Sequence, residues 1–190
     1  MRLGRSVFAA MVLALASTSA LSQVPTIRLT EYSAKFLCGV QEAKEPGAAP
    51  VRPGLYETTI NIHNPQLPVN PLPSVIFLKK VVLALPEGKE PVAPSAFRRD
   101  VLKADFAEQV DCRIIREMLG PAGTAPFIEG FVVLIVFPSP LTTPHELDVV
   151  GVYTVDSPTQ SIALEMVPVA PRTLTLPTAA GKKMMELGKP

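Results

Sequence analysis

Two cysteines carry the clearest chemical signal in the sequence. Cys38 and Cys112 are the only thiols in a chain of 190 residues. Neither belongs to a CxxC pair and neither has a histidine nearby in sequence, so a reactive or metal-binding thiol is the weaker alternative. In an exported protein two thiols are normally oxidised, and two cysteines permit one intramolecular bridge. We therefore predict a structural Cys38–Cys112 disulfide.

Both histidines lie beside turns, from which they could meet in space. His63 stands in IHNP and His145 in TPHEL, and Asp148 follows the second of them. Imidazole and carboxylate groups are common zinc ligands, so these three residues define the alternative of a metal-dependent or hydrolytic enzyme. The sequence contains neither HxH nor HExxH. Surface histidines that bond to nearby backbone are the simpler interpretation.

Catalytic motifs with a recognisable spacing are absent from the sequence. GxSxG, GxGxxG and GxxxxGK[ST] do not occur, so the motifs of a serine hydrolase, a dinucleotide site and a phosphate loop are missing. Asp111 and Asp148 are embedded in apolar runs, and we predict that they face outward or bond within turns. We expect no catalytic, cofactor-binding or metal-binding residue, and hence no enzyme.

Composition restricts both the fold and the partners. The chain contains 21 prolines, roughly twice the usual ~5% share, and proline is excluded from helix interiors. Short strands joined by many turns are therefore expected. The net charge is +1, and like charges occur in nothing longer than pairs such as Lys79-Lys80. Because a nucleic-acid partner normally requires a basic patch, we expect none.

Residues 1–22 have the composition of a signal peptide. Arg2 and Arg5 give a positive start, Val7–Ala16 is apolar, and Ser17–Ser22 supplies the small residues needed for cleavage. The apolar stretch is too short to span a bilayer as an ordinary helix. We expect a secreted or periplasmic protein whose mature chain has no membrane span.

The elements that must position these residues are predicted to be strands. Phe131–Phe137 and Leu147–Val155 are rich in β-branched and aromatic residues, and the prolines between them forbid a continuing helix. We predict that these two runs are neighbouring antiparallel strands at the centre of a sheet. The predicted inward residues are Phe131, Val133 and Ile135 on the first, and Leu147, Val149, Gly151 and Tyr153 on the second.

Further short runs complete the predicted fold. Tyr32, Ala34, Phe36 and Cys38 alternate with polar residues, which is typical of a half-buried strand. The further predicted strands are Thr30–Cys38, Leu55–Asn64, Val75–Leu85, Asp105–Cys112 and Ser161–Val167, with one short helical turn at Arg113–Leu119. The fold class is thus all-β, an immunoglobulin-like antiparallel β-sandwich of about seven strands. We expect a linker at 23–29, the β-sandwich domain at 30–170 and a disordered tail at 171–190.

Several segments are spaced as in a known group of proteins. They are YSAKFLCG (Tyr32–Gly39), YETTINIHNP (Tyr56–Pro65), VDC (Val110–Cys112), IEGFVV (Ile128–Val133) and LDVVGVYT (Leu147–Thr154). On these segments the chain resembles an uncharacterised family of exported bacterial proteins over roughly Tyr32 to Arg172. The resemblance implies an exported β-sandwich that carries the two cysteines, and it implies no activity.

These observations favour an exported, non-enzymatic protein with a binding or structural role. The partner would be another envelope or extracellular protein, held at an exposed strand edge or by the proline-rich loops Pro65–Pro73 and Pro138–Pro144. The alternative role of these prolines is to protect the sheet from aggregation. An enzyme built on His63, His145 and Asp148 is the competing hypothesis.

Overall fold

The first alternating segment of the sequence forms an unusually long strand, β1 (Thr26–Gln41), which begins before the predicted Thr30. The computed structural model describes residues 25–42, 51–67, 74–138, 146–157 and 160–187. The other strands are β2 (Gly54–His63), β3 (Ser74–Leu83), β4 (Arg98–Lys103), β5 (Ala107–Asp111), β6 (Phe127–Val136), β7 (Asp148–Ser157), β8 (Gln160–Pro168) and β9 (Arg172–Pro177). The helices are α1 (Cys112–Leu119), which runs into a 3₁₀ turn at Gly120–Thr124, and α2 (Thr178–Glu186).

β1 holds the sheet together because three strands pair with it. One of its edges pairs with β6 from Thr30 to Gly39. The other edge pairs with β9 from Thr26 to Glu31 and with β2 only from Gly39 to Gln41. The short β1–β2 pairing therefore joins the backbones of two groups of strands, which are β4, β3, β6, β1 and β9 in the first and β2, β5, β7 and β8 in the second.

The described strands form one open antiparallel sheet. Its main order is β4-β3-β6-β1-β2-β7-β8, with β5 also paired to β2 and β9 to β1. The all-β, antiparallel prediction is confirmed, with nine strands rather than about seven. The predicted immunoglobulin-like sandwich is not confirmed, because the two groups of strands share a hydrogen-bonded connection at β1 and β2.

The predicted pairing of the two central runs is wrong. β6 pairs with β1 and β3, whereas β7 pairs with β2 and β8. The two strands are therefore separated in the sheet by β1 and β2. Closeness in sequence did not predict the pairing, because the longer β1 lies beside β6 and pairs with it over ten residues.

Both groups of strands contribute side chains to one core. The alternating β1 residues are buried in it as predicted, and so are Leu147, Val149 and Gly151 near the start of β7, while Tyr153 is half-buried. On β6 the predicted inward face is wrong, because the residues in this core are Val132, Leu134 and Val136. The run is apolar at every position, so alternation could not select the face.

The opposite face of β6 is covered by a second, smaller cluster. Ile135 packs there with Leu29, Leu78 and Phe137, whereas Phe131 is 39% exposed. Residues from the end of the chain cover this cluster: Leu174 and Leu176 of β9 and Met184 of α2. The prediction of a disordered tail at 171–190 is therefore wrong for 172–186, because burial of these apolar residues offsets the entropy of ordering the segment.

α1 is capped at its first turn and is hydrogen-bonded to neighbouring backbone near its other end. Asp111 caps its first turn, accepting a hydrogen bond from the Ile114 backbone N–H at 2.8 Å, which confirms the turn role predicted for this carboxylate. Near the other end, the Arg116 guanidinium donates to the carbonyls of Cys38 and Pro126 at 2.9 and 3.2 Å. Gly39, which follows Cys38, has a φ of 105°, and a Cβ at this position would overlap the Pro126 carbonyl oxygen. Only glycine fits this close approach.

Some sequence predictions lie outside the described residues. These are the signal peptide at 1–22, His145, and most of the two proline-rich loops. The predicted linker at 23–29 is partly replaced by β1. Among the described helices, none is long and apolar enough to cross a membrane.

Candidate functional site

The predicted disulfide is present. β1 turns Cys38 toward the core, and β5 delivers Cys112 to the first position of α1. Their Cα atoms are 5.5 Å apart and the sulfur atoms are bonded. The bridge ties the first strand to the helix that follows β5, so it joins the two groups of strands at the end where β1 and β2 pair. Its position within the core supports a structural role.

The structure brings together two of the three residues of the enzyme hypothesis. His63 and Asp148 are paired positions on β2 and β7, and His63 Nδ1 lies 3.2 Å from Asp148 Oδ2. His63 Nε2 also lies 3.6 Å from Oδ1 of Asp105, a contact that the sequence did not suggest. The three side chains are exposed, and the described residues include no group of three or more that could hold a metal ion. Two carboxylates therefore flank an exposed imidazole at the surface.

A buried cation links the two groups of strands. Lys79 Nζ lies 2.8 Å from Oδ2 of Asp100 on β4 and 2.9 Å from Oε1 of Glu108 on β5. Burial lowers the pKa of Lys79, but its hydrogen bonds to the two carboxylates and their negative charges outweigh burial, and the pKa is raised. The sequence showed Lys79 and Lys80 only as an interruption of an apolar run. The alternation of Val75, Phe77 and Lys79 was the signal that Lys79 faces inward.

A stretch of the β1 edge has no strand beside it in the described structure. Glu31 is the last residue paired with β9, and Gly39 is the first paired with β2. Between them, the Thr58 hydroxyl accepts from the Leu37 N–H at 3.0 Å and donates to the Leu37 carbonyl at 2.9 Å. The Tyr153 hydroxyl donates to the Lys35 carbonyl at 2.9 Å. Hydroxyl groups thus take the place of a neighbouring strand.

A groove of about 530 Å³ runs beside this edge, and we call it the β1 groove. Its apolar wall contains Leu37, Val51, Tyr56, Tyr153, Val155, Leu164 and Val167. An adjoining hollow of about 410 Å³ shares Lys35, Tyr153 and Val167 with it. Lys35 is already paired with Glu129 at 2.9 Å. An apolar wall with a neutralised cation suits a mainly apolar ligand better than an anion.

We expect the protein to lose stability at alkaline pH, because the pKa values of three of its groups are raised. Burial raises the pKa of Tyr32 and of Tyr153, and the pKa of Lys79 is raised as described above. The unfolded chain therefore releases these protons at lower pH than the native protein. The free energy of unfolding should be constant from pH 8 to 9 and fall as the pH rises above about 10.

Urea unfolding at a series of pH values measures this dependence. The Tyr153→Phe variant removes one of the three groups, so its loss of stability above pH 10 should be smaller than that of the wild type. A wild-type free energy of unfolding that stays the same up to pH 11 contradicts the prediction.

Comparison with known proteins returned no match: no family model, no curated protein sequence and no solved structure matches this chain. The β1 groove was missed by sequence reasoning because it forms where β1 changes neighbours, which depends on pairings far apart in the chain.

Proposed function

We propose that the protein is an exported, non-enzymatic binding protein that holds an extended, mainly apolar segment of an envelope or extracellular protein. The observation that carries this proposal is the β1 edge between Glu31 and Gly39, which borders the β1 groove and has none of the described strands beside it. An added strand gains affinity from main-chain hydrogen bonds and specificity from pockets for alternate side chains. Such a segment would exchange with the hydroxyls of Thr58 and Tyr153 that now bond this edge.

The composition of the groove wall supports an apolar segment. Leu37 and Val155 supply aliphatic surface, and the rings of Tyr56 and Tyr153 supply large, rigid contact area. The nearby Lys35 ammonium is bonded to Glu129, so a charged ligand would have to compete with an existing ion pair. Neutral residues that alternate along a strand do not have to compete with this ion pair.

Export is the second part of the proposal. Its support is the signal-peptide composition of residues 1–22 together with the disulfide, since disulfides persist in oxidising compartments. N-terminal sequencing of the mature protein tests it, and retention of Met1 would contradict it.

The finer fold prediction, an immunoglobulin-like sandwich, and the resemblance to exported bacterial proteins are part of the same proposal. The proline-rich loops remain a second candidate surface for the partner.

The Leu37→Lys variant should weaken binding of an extended apolar peptide at least tenfold, because it places an ammonium in the groove wall. The new side chain lies opposite Glu129 on β6, where it would share this carboxylate with Lys35. The probe is a fluorescently labelled eight-residue peptide of alternating valine and threonine, followed by anisotropy. The control is Val101→Lys, at a residue of β4 that is 54% exposed and does not line the groove.

Amide chemical shifts give a second measurement of the same interaction. On addition of the peptide, changes should concentrate at residues 32–38 and 153–155. Equal affinity of the two lysine variants, or shifts centred on β4, would show that the groove is not the binding site.

The enzyme built on His63, His145 and Asp148 remains the competing proposal, favoured by the 3.2 Å contact between His63 and Asp148. Neither of these two residues lines the β1 groove. A calorimetric titration with Zn²⁺ separates the proposals: absence of heat would remove the metal-dependent enzyme, whereas heat that disappears in His63→Ala would support it.

A further inference from the structure

The two strands that end the main strand order of the described sheet differ in charge. β4 forms one end of this order and β8 the other, while β5 and β9 lie off it and each pair with one strand. β4 reads RRDVLK, with three cations and one carboxylate in six residues, whereas β8 reads QSIALEMVP, with Glu165 as its one charge. Charged side chains on an end strand prevent it from pairing with another chain. β4 carries this protection, and β8 does not.

The unprotected end strand also presents apolar side chains to solvent. The alternation in SIALEMV predicts that Leu164 and Met166 face inward. This prediction is wrong, because Met166 is 67% exposed and Leu164 is 62% exposed. Their paired positions on β7 are Val152 and Thr154, so the same face continues with half-buried, uncharged residues. An apolar face on an unprotected end strand is typical of a surface that another strand covers.

Antiparallel pairing of two β8 strands places no like charges opposite each other, whereas pairing of two β4 strands does. β8 has nine residues with Leu164 at its midpoint, so two copies paired along their whole length place Glu165 opposite position 163 and Met166 opposite position 162. No like charges meet. Two copies of β4 paired in the same way place Arg98 opposite Lys103 of the second copy, and like charges directly opposite each other are destabilising.

We infer that the protein forms a homodimer in which β8 of one copy pairs antiparallel with β8 of a second copy, about a two-fold axis at Leu164. A two-fold contact of this kind uses the same surface on both copies and closes without further growth. It joins two sheets into one that continues across the dimer. The contact adjoins the β1 groove, because Leu164 and Val167 of β8 line that groove, whereas Met166 does not. Substitution of Met166 therefore tests the dimer without changing the groove wall.

Sedimentation velocity of the disulfide-bonded protein from 1 to 100 µM tests the dimer. The wild type should sediment as a dimer, and Met166→Lys should raise the dissociation constant at least tenfold, because it places a cation in the contact of each copy. Val101→Lys, the same substitution on the exposed face of β4, should leave the dimer unchanged. Circular dichroism checks that both variants are folded. We expect that they are, because Met166 and Val101 are exposed.

Three outcomes overturn the inference. They are a monomeric wild type at 100 µM, equal effects of the two lysine substitutions, and assemblies larger than a dimer that both substitutions abolish. The last would indicate pairing of β8 with β4 of the next copy, which does not close.

A single added cysteine tests the register. Because the native cysteines are bonded to each other, the thiol of Leu164→Cys is unpaired within its own chain. Opposite residues of antiparallel strands have Cα atoms about 4.5–5.5 Å apart, within the range of a disulfide. Leu164→Cys should therefore form a covalent dimer on mild oxidation, and Val101→Cys should not. Equal cross-linking of the two variants would contradict the register and the inference.

Discussion

Replacing Cys38 and Cys112 together with alanine is expected to lower the free energy of unfolding by about 4 kcal/mol. The bridge closes a loop between residues separated by 74 positions, and in the chain-entropy model a loop of this length stabilises the native state by roughly that amount. Since most single domains are stable by only about 5–15 kcal/mol, the variant should lose a large share of its stability. Urea unfolding with and without reductant measures the effect.

The internal control is reduction of the wild type, which should reproduce the loss, while the double variant should be insensitive to reductant. Thiol titration of the unreduced, denatured wild type should find no free thiol. Two free thiols per chain would contradict the bridge and revive a redox or metal-binding role for the cysteines.

The Lys79→Ala substitution is expected to cost about 3 kcal/mol. It leaves the carboxylates of Asp100 and Glu108 facing each other without their cation, and breaking a buried ion pair by removing one partner costs about 3–5 kcal/mol. The lower end applies here because Asp100 and Glu108 are 30% and 25% exposed. Urea unfolding at pH 7 measures the difference from the wild type.

Lys80→Ala is the matched control, since the residue is adjacent and points to the other face of β3. Lys80 Nζ lies 4.9 Å from the centre of the Phe97 ring, a cation–π contact worth about 0.5–1 kcal/mol. Equal losses from the two alanine variants would show that the buried ion pairs contribute little. A triple variant that replaces Lys79, Asp100 and Glu108 with apolar residues should recover much of the stability.

Elements with one buried face were predictable from the sequence. Tyr32, Ala34 and Phe36 alternate with polar residues because one face of β1 packs in the core and the other is partly solvated. The disulfide was predictable for a different reason, because the expectation of export and the presence of two cysteines left one intramolecular pairing. Neither argument required knowledge of which strands are neighbours.

Elements whose position depends on distant parts of the chain could not be predicted in the same way. β6 is buried on both faces near its end, at Leu134, Ile135 and Val136, so its periodicity does not identify a face. β4 was missed because its charged residues lie at the end of the sheet. The RTLTLP segment of β9 does alternate, but it is short, and its burial depends on pairing with β1. The β1 groove depends on the same distant pairing.

The pairing of β1 with β9 places the first and the last described strands side by side. Thr26 lies opposite Pro177, and the Thr178 backbone N–H donates to the Pro25 carbonyl at 2.8 Å. A linker from the end of α2 back to residue 25 would join the described ends, and new ends could be opened in the exposed turn at 87–90, giving a circularly permuted protein with the same sheet. The same adjacency has a consequence for synthesis. Because the ribosome makes β1 first and β9 last, the N-terminal half of β1 acquires this neighbour only when the chain has been made through residue 177.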